Sequence, residues 1–432
     1  MDAKPATPLN ATLLGLICLL VTAAGLTWQS WDMFGAKHRP MLRGWDDAFY
    51  YFWLPSVVID HDLDFTNQLA QCEAFTPDSR YLALVEPRTP TGMLNNKYPP
   101  GWAIGSLPFF LVAHAFSPAG STGFEPQYLV SVFFGQLIYA CLGLWLAGKI
   151  IAQYFPPAIA RVAVLAVWLA SPLAYYQTVR LAMSHNQVFA LGMVVFWLAL
   201  RLTKGEIRPY QWALLGFCAS LLVVTRNVTV VYLILPAFVV VQKLRDIRAA
   251  IWLILGAVGP LLVQLAVWKI LYGSWLAYSY GGERFDFSNL HLWGILFSPR
   301  HGWFYWHPLI LPALVAFIVW ACRRGVGWAW LVSLGAMVLL NAAWPTWWLG
   351  SSFGNRGFEL ADFFVMMGLG YLLQTAQNRP WVRAILRCLI TAAIAWNLIL
   401  LVLFLAGKIP RNDAVTYGDA CRALTGWFAT MR

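Results

Sequence analysis

Two adjacent carboxylates open the stretch Gly44-Trp45-Asp46-Asp47-Ala48-Phe49-Tyr50-Tyr51-Phe52-Trp53. A carboxylate at the edge of an aromatic segment can take the proton of a hydroxyl as that oxygen attacks an electrophilic carbon. The competing explanation is structural. Acidic residues favour the first turn of a helix, where unpaired N–H groups and the dipole attract negative charge, and Asp46 fits an N-cap equally well. A second acidic run follows at Asp60-His61-Asp62-Leu63-Asp64-Phe65, then Asn67. Its alternating carboxylates line one side of an extended segment, and Asp62 with Asp64 could hold a hard divalent cation. The Gly and Glu of an EF-hand loop are absent, so a solvated loop or a helix cap competes with metal binding, and the sequence implies no other cofactor.

Basic groups that could answer an anion are spaced along the rest of the chain. Lys97-Tyr98-Pro99-Pro100-Gly101-Trp102 reads as a helix start, with proline well placed in the first turn. Lys97 beside exposed N–H groups makes an anion site, although a lysine snorkelling to a membrane surface would look the same. Arg180 with His185, Arg226 with Asn227, and Glu283-Arg284 fall at the ends of apolar runs, Arg300 in the turn Ser298-Pro299-Arg300-His301-Gly302, and Arg356 after a Trp-rich stretch. Ionisable groups near membrane depth are costly to place, so each is a functional candidate. Arginine presents a planar fork to phosphate, which favours Arg226 and Arg356. Glu359 and Asp362 follow within two turns and could instead neutralise Arg356 internally. No nucleophile elbow, Walker loop, dinucleotide fingerprint or zincin motif is present, and the seven Cys show no C-x-x-C.

The elements that must position these groups are set by composition. Apolar residues make up 60% of the chain and charged residues 11%, against about a quarter charged in an ordinary soluble domain. Such a chain faces lipid, where helices or closed barrels satisfy their own backbone, and long unbroken apolar runs select helices. Runs of spanning length cover 9–28, 127–148, 158–176, 186–203, 210–225, 228–242, 250–271, 307–322, 327–343, 357–375 and 385–405. The first has a poorly charged n-region and reads as a retained anchor rather than a cleaved signal. The run 99–116 is interrupted by Ser106, Pro108 and His114 and reads as an interfacial or re-entrant helix.

Leaving 99–116 out of the count puts five basic clusters on one side, that of the N-terminus, which carries Lys4: Lys149/Arg161, Arg201/Lys204/Arg208, Lys243/Arg245/Arg248, Arg323/Arg324 and Arg379/Arg383/Arg387. The expectation is an all-α polytopic transmembrane bundle of about eleven spans, with interfacial helices in a large first extracytoplasmic loop. Residues 1–432 form one membrane domain, the first outer loop covers 29–126, and the outer tail covers 406–432. The net charge of +11 sits in short clusters between spans, as the positive-inside rule predicts, so nucleic acid is not an expected partner.

The motifs taken in order resemble the bacterial members of the GT-C superfamily of polyprenyl-phosphate-sugar-dependent glycosyltransferases, which includes protein O-mannosyltransferases and the lipid A aminoarabinose transferase. The resemblance rests on the acidic pair Asp46-Asp47 with Tyr50, the tract Asp60-His61-Asp62-Leu63-Asp64 with Asn67, and Lys97-Tyr98-Pro99-Pro100. It continues through Ser184-His185, Ser298-Pro299-Arg300-His301-Gly302 and Ser352-Phe353-Gly354-Asn355-Arg356. It implies sugar transfer from a polyprenyl-phosphate carrier to an acceptor hydroxyl on a lipid, glycan or protein, with inversion. The site would lie on the periplasmic face of a bacterial cytoplasmic membrane, N-terminus inside. Asp46 would be the base, backed by Asp47 where the family has Glu; Lys97, Tyr98, His185, Arg226, Arg300 and Arg356 would bind substrate or lipid phosphate. A transporter or lipid flippase would need broken helices in paired repeats and charges deep in mid-span, and a non-catalytic envelope scaffold would need neither.

The topology is directly testable. A Ser79→Cys variant should react with a membrane-impermeant maleimide in intact cells; reaction only after the inner membrane is opened would place residues 60–96 in the cytoplasm and reverse the orientation.

Overall fold

The computed structural model describes residues 11–34, 42, 44–72, 88–205, 208–244, 246–325 and 327–430. Lys4 and Arg245, two of the charge markers, lie outside them, as do 35–41, 43 and 73–87 of the segment expected to form the first outer loop. Every regular element among the described residues is helical. The chain begins with α1 (Ala11–Phe34), α2 (Gly44–Pro55), a π turn (Ser56–Asp60) and α3 (Thr66–Gln71). Next come α4 (Gly101–Ala115), α5 (Pro126–Ile151), α6 (Pro157–Ala170), α7 (Leu173–Thr178), α8 (His185–Thr203) and α9 (Pro209–Thr225). A 3-10 segment (Asn227–Leu233) leads into α10 (Ile234–Lys243) and α11 (Ile247–Tyr272). The remainder comprises α12 (Leu292–Phe297), α13 (Trp303–Trp306), α14 (Ile310–Ala321), α15 (Gly327–Ala342), a 3-10 turn (Arg356–Phe358), α16 (Asp362–Thr375), α17 (Pro380–Leu405) and α18 (Tyr417–Thr430).

Four helices, α5, α8, α11 and α17, are long and apolar enough to cross a membrane. Shorter apolar stretches of 10–17 residues are Gly15–Trp28 within α1, Gly101–Ala115, Pro157–Ala170, Pro209–Thr225, Asn227–Lys243, Ile310–Ala321 and Gly327–Ala342. Two predicted runs are not continuous helices. The run 158–176 stops at Ala170 and resumes at Leu173, because Pro172 has no N–H to carry the ladder onward. The run 228–242 begins as a 3-10 segment and becomes α-helical at Ile234.

The chain packs as two compact units. One holds Met1–Ile17, Leu144–Tyr175 and Glu283–Arg432; the other holds Cys18–Gly143 and Tyr176–Gly282. In the first, the break after α6 is repaired by side chains. Asn397 of α17 donates to the carbonyls of Leu169 (2.7 Å) and Ser171 (3.1 Å). The Ser171 hydroxyl accepts from the Leu173 N–H (3.2 Å) and donates to Asp362 (3.0 Å). Broken helices persist in an apolar medium when the freed backbone groups are answered in this way.

In the second unit α4 runs antiparallel to α5. Ser131 donates to the Phe109 carbonyl (2.7 Å), Gln136 to Ser106 (2.9 Å) and Tyr139 to the Gly105 carbonyl (2.9 Å), while His114 meets the Tyr128 hydroxyl at 2.8 Å. The 15 residues of α4 rise about 22 Å, short of the ~30 Å hydrocarbon core. Gln187 at the start of α8 donates to the Trp102 carbonyl and to Ser106, both at 2.9 Å, and Asn186 donates to the Gln136 carbonyl at 3.0 Å. This buried amide cluster joins α4, α5 and α8 at the head of α4. Farther along, α9 and α11 meet through glycines. A Cβ on Gly216 would lie 2.0 Å from the Leu253 carbonyl oxygen, and one on Gly256 1.9 Å from that of Ala213. Small residues let membrane helices approach this closely. Both helices end against the segment before α4: Thr91 donates to the Leu271 carbonyl (2.6 Å), Tyr272 to Asn95 (2.6 Å), and a Cβ on Gly101 would sit 2.3 Å from the Thr225 nitrogen.

That contact gives a stability test. Gly216→Ala and Gly256→Ala should each cost about 1–3 kcal/mol through overpacking, lowering the melting temperature in detergent. Gly259→Ala, also on α11 but with nothing within 4 Å of its Cβ, should not. Equal melting of all three variants would contradict the close approach.

Candidate active site

The acidic pair falls in the first turn of α2, after Gly44 at φ +79°. Successive residues on a helix point about 100° apart, so two adjacent carboxylates cannot face the same way. Asp47 turns inward and is 1% exposed. Arg180 closes on it as a fork, with Nε 3.0 Å and 3.3 Å from the two carboxylate oxygens and Nη2 3.0 Å from Oδ2. Asp46 stays half-buried and accepts a hydrogen bond from the Tyr98 hydroxyl.

Tyr98 is itself clamped to α2. Asn96 donates to the Phe49 carbonyl (2.9 Å) and accepts from the Tyr98 N–H (3.1 Å), and the Trp53 indole donates to the Tyr98 carbonyl (3.2 Å). The Tyr98 ring packs on Tyr50, with centroids 4.8 Å apart. The next two residues, Pro99 and Pro100, bring no N–H that would need a partner, and α4 starts at Gly101. The half-buried Lys97 ammonium lies 5.8 Å from the Tyr98 ring centroid and 5.4 Å from that of Tyr280, and Ser279 donates to the Lys97 carbonyl (2.9 Å).

Arg226 caps α9 and is half-buried. Its N–H donates to the Leu222 carbonyl (3.1 Å), and its own carbonyl accepts from the Thr229 hydroxyl (2.7 Å). Because Thr225 abuts Gly101, Arg226 sits at the head of α4, three residues of chain from Tyr98. His185 opens α8, 1% exposed, its ring 4.2 Å from that of Tyr176. One unit therefore gathers Asp46, Asp47, Lys97, Tyr98, His185 and Arg226 around the starts of α2, α4 and α8 and the end of α9.

Arg300 and Arg356 belong to the other unit. Arg300 stacks 3.8 Å over the Trp348 ring and donates from Nε to the Asn412 carbonyl (2.5 Å), while Pro299 accepts from the Val415 N–H (3.0 Å). The turn is thus tied to the tail. Arg356 opens its 3-10 turn behind Asn355, whose side chain accepts from the Gly357 N–H (3.0 Å). Gly354 must be glycine: its φ is +62°, and a Cβ would lie 2.2 Å from Nε2 of the buried His307.

The run at 60–64 is spent on local structure. Asp60 accepts from Asn67 (2.9 Å) and from Gln68, Asp62 from Ser56 (3.0 Å) and the Asp64 N–H (3.2 Å), and Asp64 from the Thr66 hydroxyl (2.7 Å) and N–H (3.2 Å). Among the described residues no three His, Cys, Asp or Glu side chains converge as metal ligands. Sequence reasoning missed two contributions to the α2 site. Arg180 was visible only as a cation at a span end, and nothing in the sequence paired it with Asp47 across 133 residues. The amide cluster was signalled by Ser106, Gln136 and Gln187, polar residues inside apolar runs.

No known family profile matches the chain, and no curated protein matches it. Two solved structures are similar in shape. One is the crystal structure of ArnT from Cupriavidus metallidurans in the apo state, 12% identical with a TM-score of 0.48, over 97% of this chain and 76% of that one. The other is the archaeal oligosaccharyltransferase AglB from Archaeoglobus fulgidus in complex with an inhibitory peptide and a dolichol-phosphate, 11% identical with a TM-score of 0.49. That match covers 97% of this chain and 54% of AglB, so the chain spans about half of AglB's length.

The turn at 298–302 also yields a pH signature. Burial pushes the His301 imidazole down from 6.5 to about 4, helped by Arg300 and Arg356 and opposed by its hydrogen bond to the Trp348 carbonyl. Between these values the unfolded chain binds the extra proton. The stability His301 contributes is therefore complete above pH 6.5 and is lost as pH falls towards 4. His301→Asn should flatten the fall in melting temperature between pH 7 and 4.5; an unchanged slope would mean the imidazole is not held neutral.

Proposed function

We propose that the protein is an integral membrane glycosyltransferase that moves a sugar from a polyprenyl-phosphate carrier to an acceptor hydroxyl, with Asp46 as the base. The observation that carries this reading is the hydrogen bond from the Tyr98 hydroxyl to Asp46. A half-buried carboxylate already holding an O–H donor is arranged as it would be to receive an acceptor hydroxyl. As the acceptor oxygen forms its bond to the anomeric carbon, its proton passes to Asp46. The bond from that carbon to the phosphate oxygen breaks on the opposite face, and the phosphate leaves with the bonding pair. The configuration at carbon inverts.

A phosphate leaving group needs cationic stabilisation but no protonated acid, so one carboxylate suffices where a glycosidase uses two. Lys97 and Arg226, both at the head of α4, would supply that charge, with Tyr98 and His185 shaping the pocket. Contacts to phosphate from Arg300 and Arg356 are not part of this reading. The sequence resemblance of Asp46-Asp47 and Lys97-Tyr98-Pro99-Pro100 supports it. The acceptor hydroxyl belongs to a lipid, glycan or protein, and the site would face the extracytoplasmic side of a bacterial inner membrane.

The test is turnover in nanodiscs with a panel of synthetic polyprenyl-phosphate hexoses and pentoses, read as released polyprenyl phosphate. Asp46→Asn should lose about 10²-fold or more, the scale of a general base, with unchanged melting temperature and farnesyl phosphate binding. Wild-type turnover by that variant would overturn the assignment.

A further inference from the structure

We propose that the break between α6 and α7 is a binding site for a monovalent alkali cation, with Asp362 supplying the charge that holds it. The inference is independent of the transferase reading. It concerns the unit that contains α6, α16 and α17, and its test does not use turnover.

Two side chains reach the break from two different helices. Asp362 opens α16, and its Oδ2 accepts from the Ser171 hydroxyl (3.0 Å). Asn397 lies on α17, and its Nδ2 donates to the Ser171 carbonyl (3.1 Å) and to that of Leu169 (2.7 Å). Each side chain spends one terminal atom on the break and leaves the other, Oδ1 in both cases, without a hydrogen bond. Both residues are 1% exposed, so solvent does not reach them. Buried polar atoms in native proteins are nearly always answered. Two bare acceptors anchored to one serine call for a donor or a cation that the chain does not provide.

Charge decides between those occupants. A buried water would satisfy the oxygens but leave the carboxylate uncompensated, and burying an isolated charge costs far more than an unmet hydrogen bond. Among the described residues Asp362 makes no ion pair. Besides Ser171 it has the Trp303 indole nearby, whose N–H lies outside hydrogen-bond geometry. Glu359, one turn earlier, adds negative potential there. The buried His307 imidazole lies beside the Asn397 amide with neither nitrogen bonded. A proton would also neutralise Asp362. Against it, the Ser171 hydroxyl donates to the carboxyl, and the N-terminus of α16 favours the anion.

The break itself supplies further oxygens. Helix α6 ends at Ala170, so its last carbonyls lack N–H partners from a following turn, and the negative end of its dipole lies at the break. One carboxylate, one amide oxygen and main-chain carbonyls form a hard, weakly anionic set, and broken membrane helices coordinate sodium with such groups. A divalent ion takes more anionic ligands, and no three His, Cys, Asp or Glu side chains converge among the described residues.

The test uses the full chain in nanodiscs. Melting in sodium chloride and in potassium chloride is compared with melting in choline chloride at equal ionic strength, and binding of radioactive sodium is measured by scintillation proximity. Sodium or potassium at about a hundred times its Kd should raise the melting temperature by a few degrees over choline, and the rise should saturate. Asp362→Asn, which keeps the shape and removes the charge, should bind sodium about tenfold more weakly or worse and melt alike in all three salts. Asp419→Asn, on the tail helix α18, should behave as wild type. If Asp362→Asn does not fold, the wild-type measurements decide alone. Wild-type melting that is equal in the three salts, with no sodium bound, overturns the site, and a dependence on pH alone would assign Asp362 a proton instead. A sodium shift retained in full by Asp362→Asn, or a shift produced only by calcium or magnesium, overturns it as well. None of these failures touches Asp46, which is judged by turnover.

Discussion

A chain that is mostly apolar and faces lipid has no solvent to answer a polar group left without a partner, and the arrangement of its polar residues follows from that constraint. Asp47 is buried at the head of α2 and draws in Arg180 from 133 positions away. The carbonyls freed where α6 stops at Ala170, ahead of Pro172, draw in Asn397 from α17. Ser106, Gln136 and Gln187, each inside an apolar run, are drawn into one cluster where α4, α5 and α8 meet. In each of these long-range attachments a buried donor or carboxylate finds a partner on another segment, and each ties two or three segments together.

The α2 site inherits its geometry from those attachments. The head of α4 is pressed against the end of α9 by Gly101 and against α8 by Gln187, so the Lys97–Pro100 segment has little room to move. That segment carries Tyr98 onto Asp46 and places Lys97 between two tyrosine rings. A carboxylate and a cation are thus held on one element each, with Arg226 at the end of α9 beside the head of α4. Preorganised charge of this kind acts on a developing phosphate without reorganising at the moment of reaction, which suits transfer from an activated carrier.

Much of this was legible in the residues. The apolar runs predicted α5 over 127–148, α8 over 186–203, α9 over 210–225 and α11 over 250–271, each within a few residues of the observed helix, because hydrophobic length is a local property. The Pro-Pro start of α4 was legible for the same reason. The break at Ser171-Pro172 was present in the sequence as a proline but was passed over inside an otherwise apolar run, since what sustains it is Asn397, more than 200 residues away. The acidic tract at 60–64 showed the opposite behaviour. Alternating carboxylates left a cation site and a helix cap both open, and the structure shows the local Asx-type bonds from the Asp64 N–H and the Thr66 hydroxyl that a cap requires.

Composition, run length and turn chemistry by themselves determined that the chain is a helical membrane protein, where several of its long helices lie, and that Asp46-Asp47 and Lys97-Tyr98 carry the chemistry worth testing. Those are consequences of neighbours within a turn or two. Tertiary structure alone decided which aspartate is buried, that Tyr98 meets the half-buried one, and that Arg180 meets the buried one. The reason is physical: a helix fixes only the angle between adjacent side chains, while the partners that cover one and expose the other arrive from segments that sequence spacing cannot bring together.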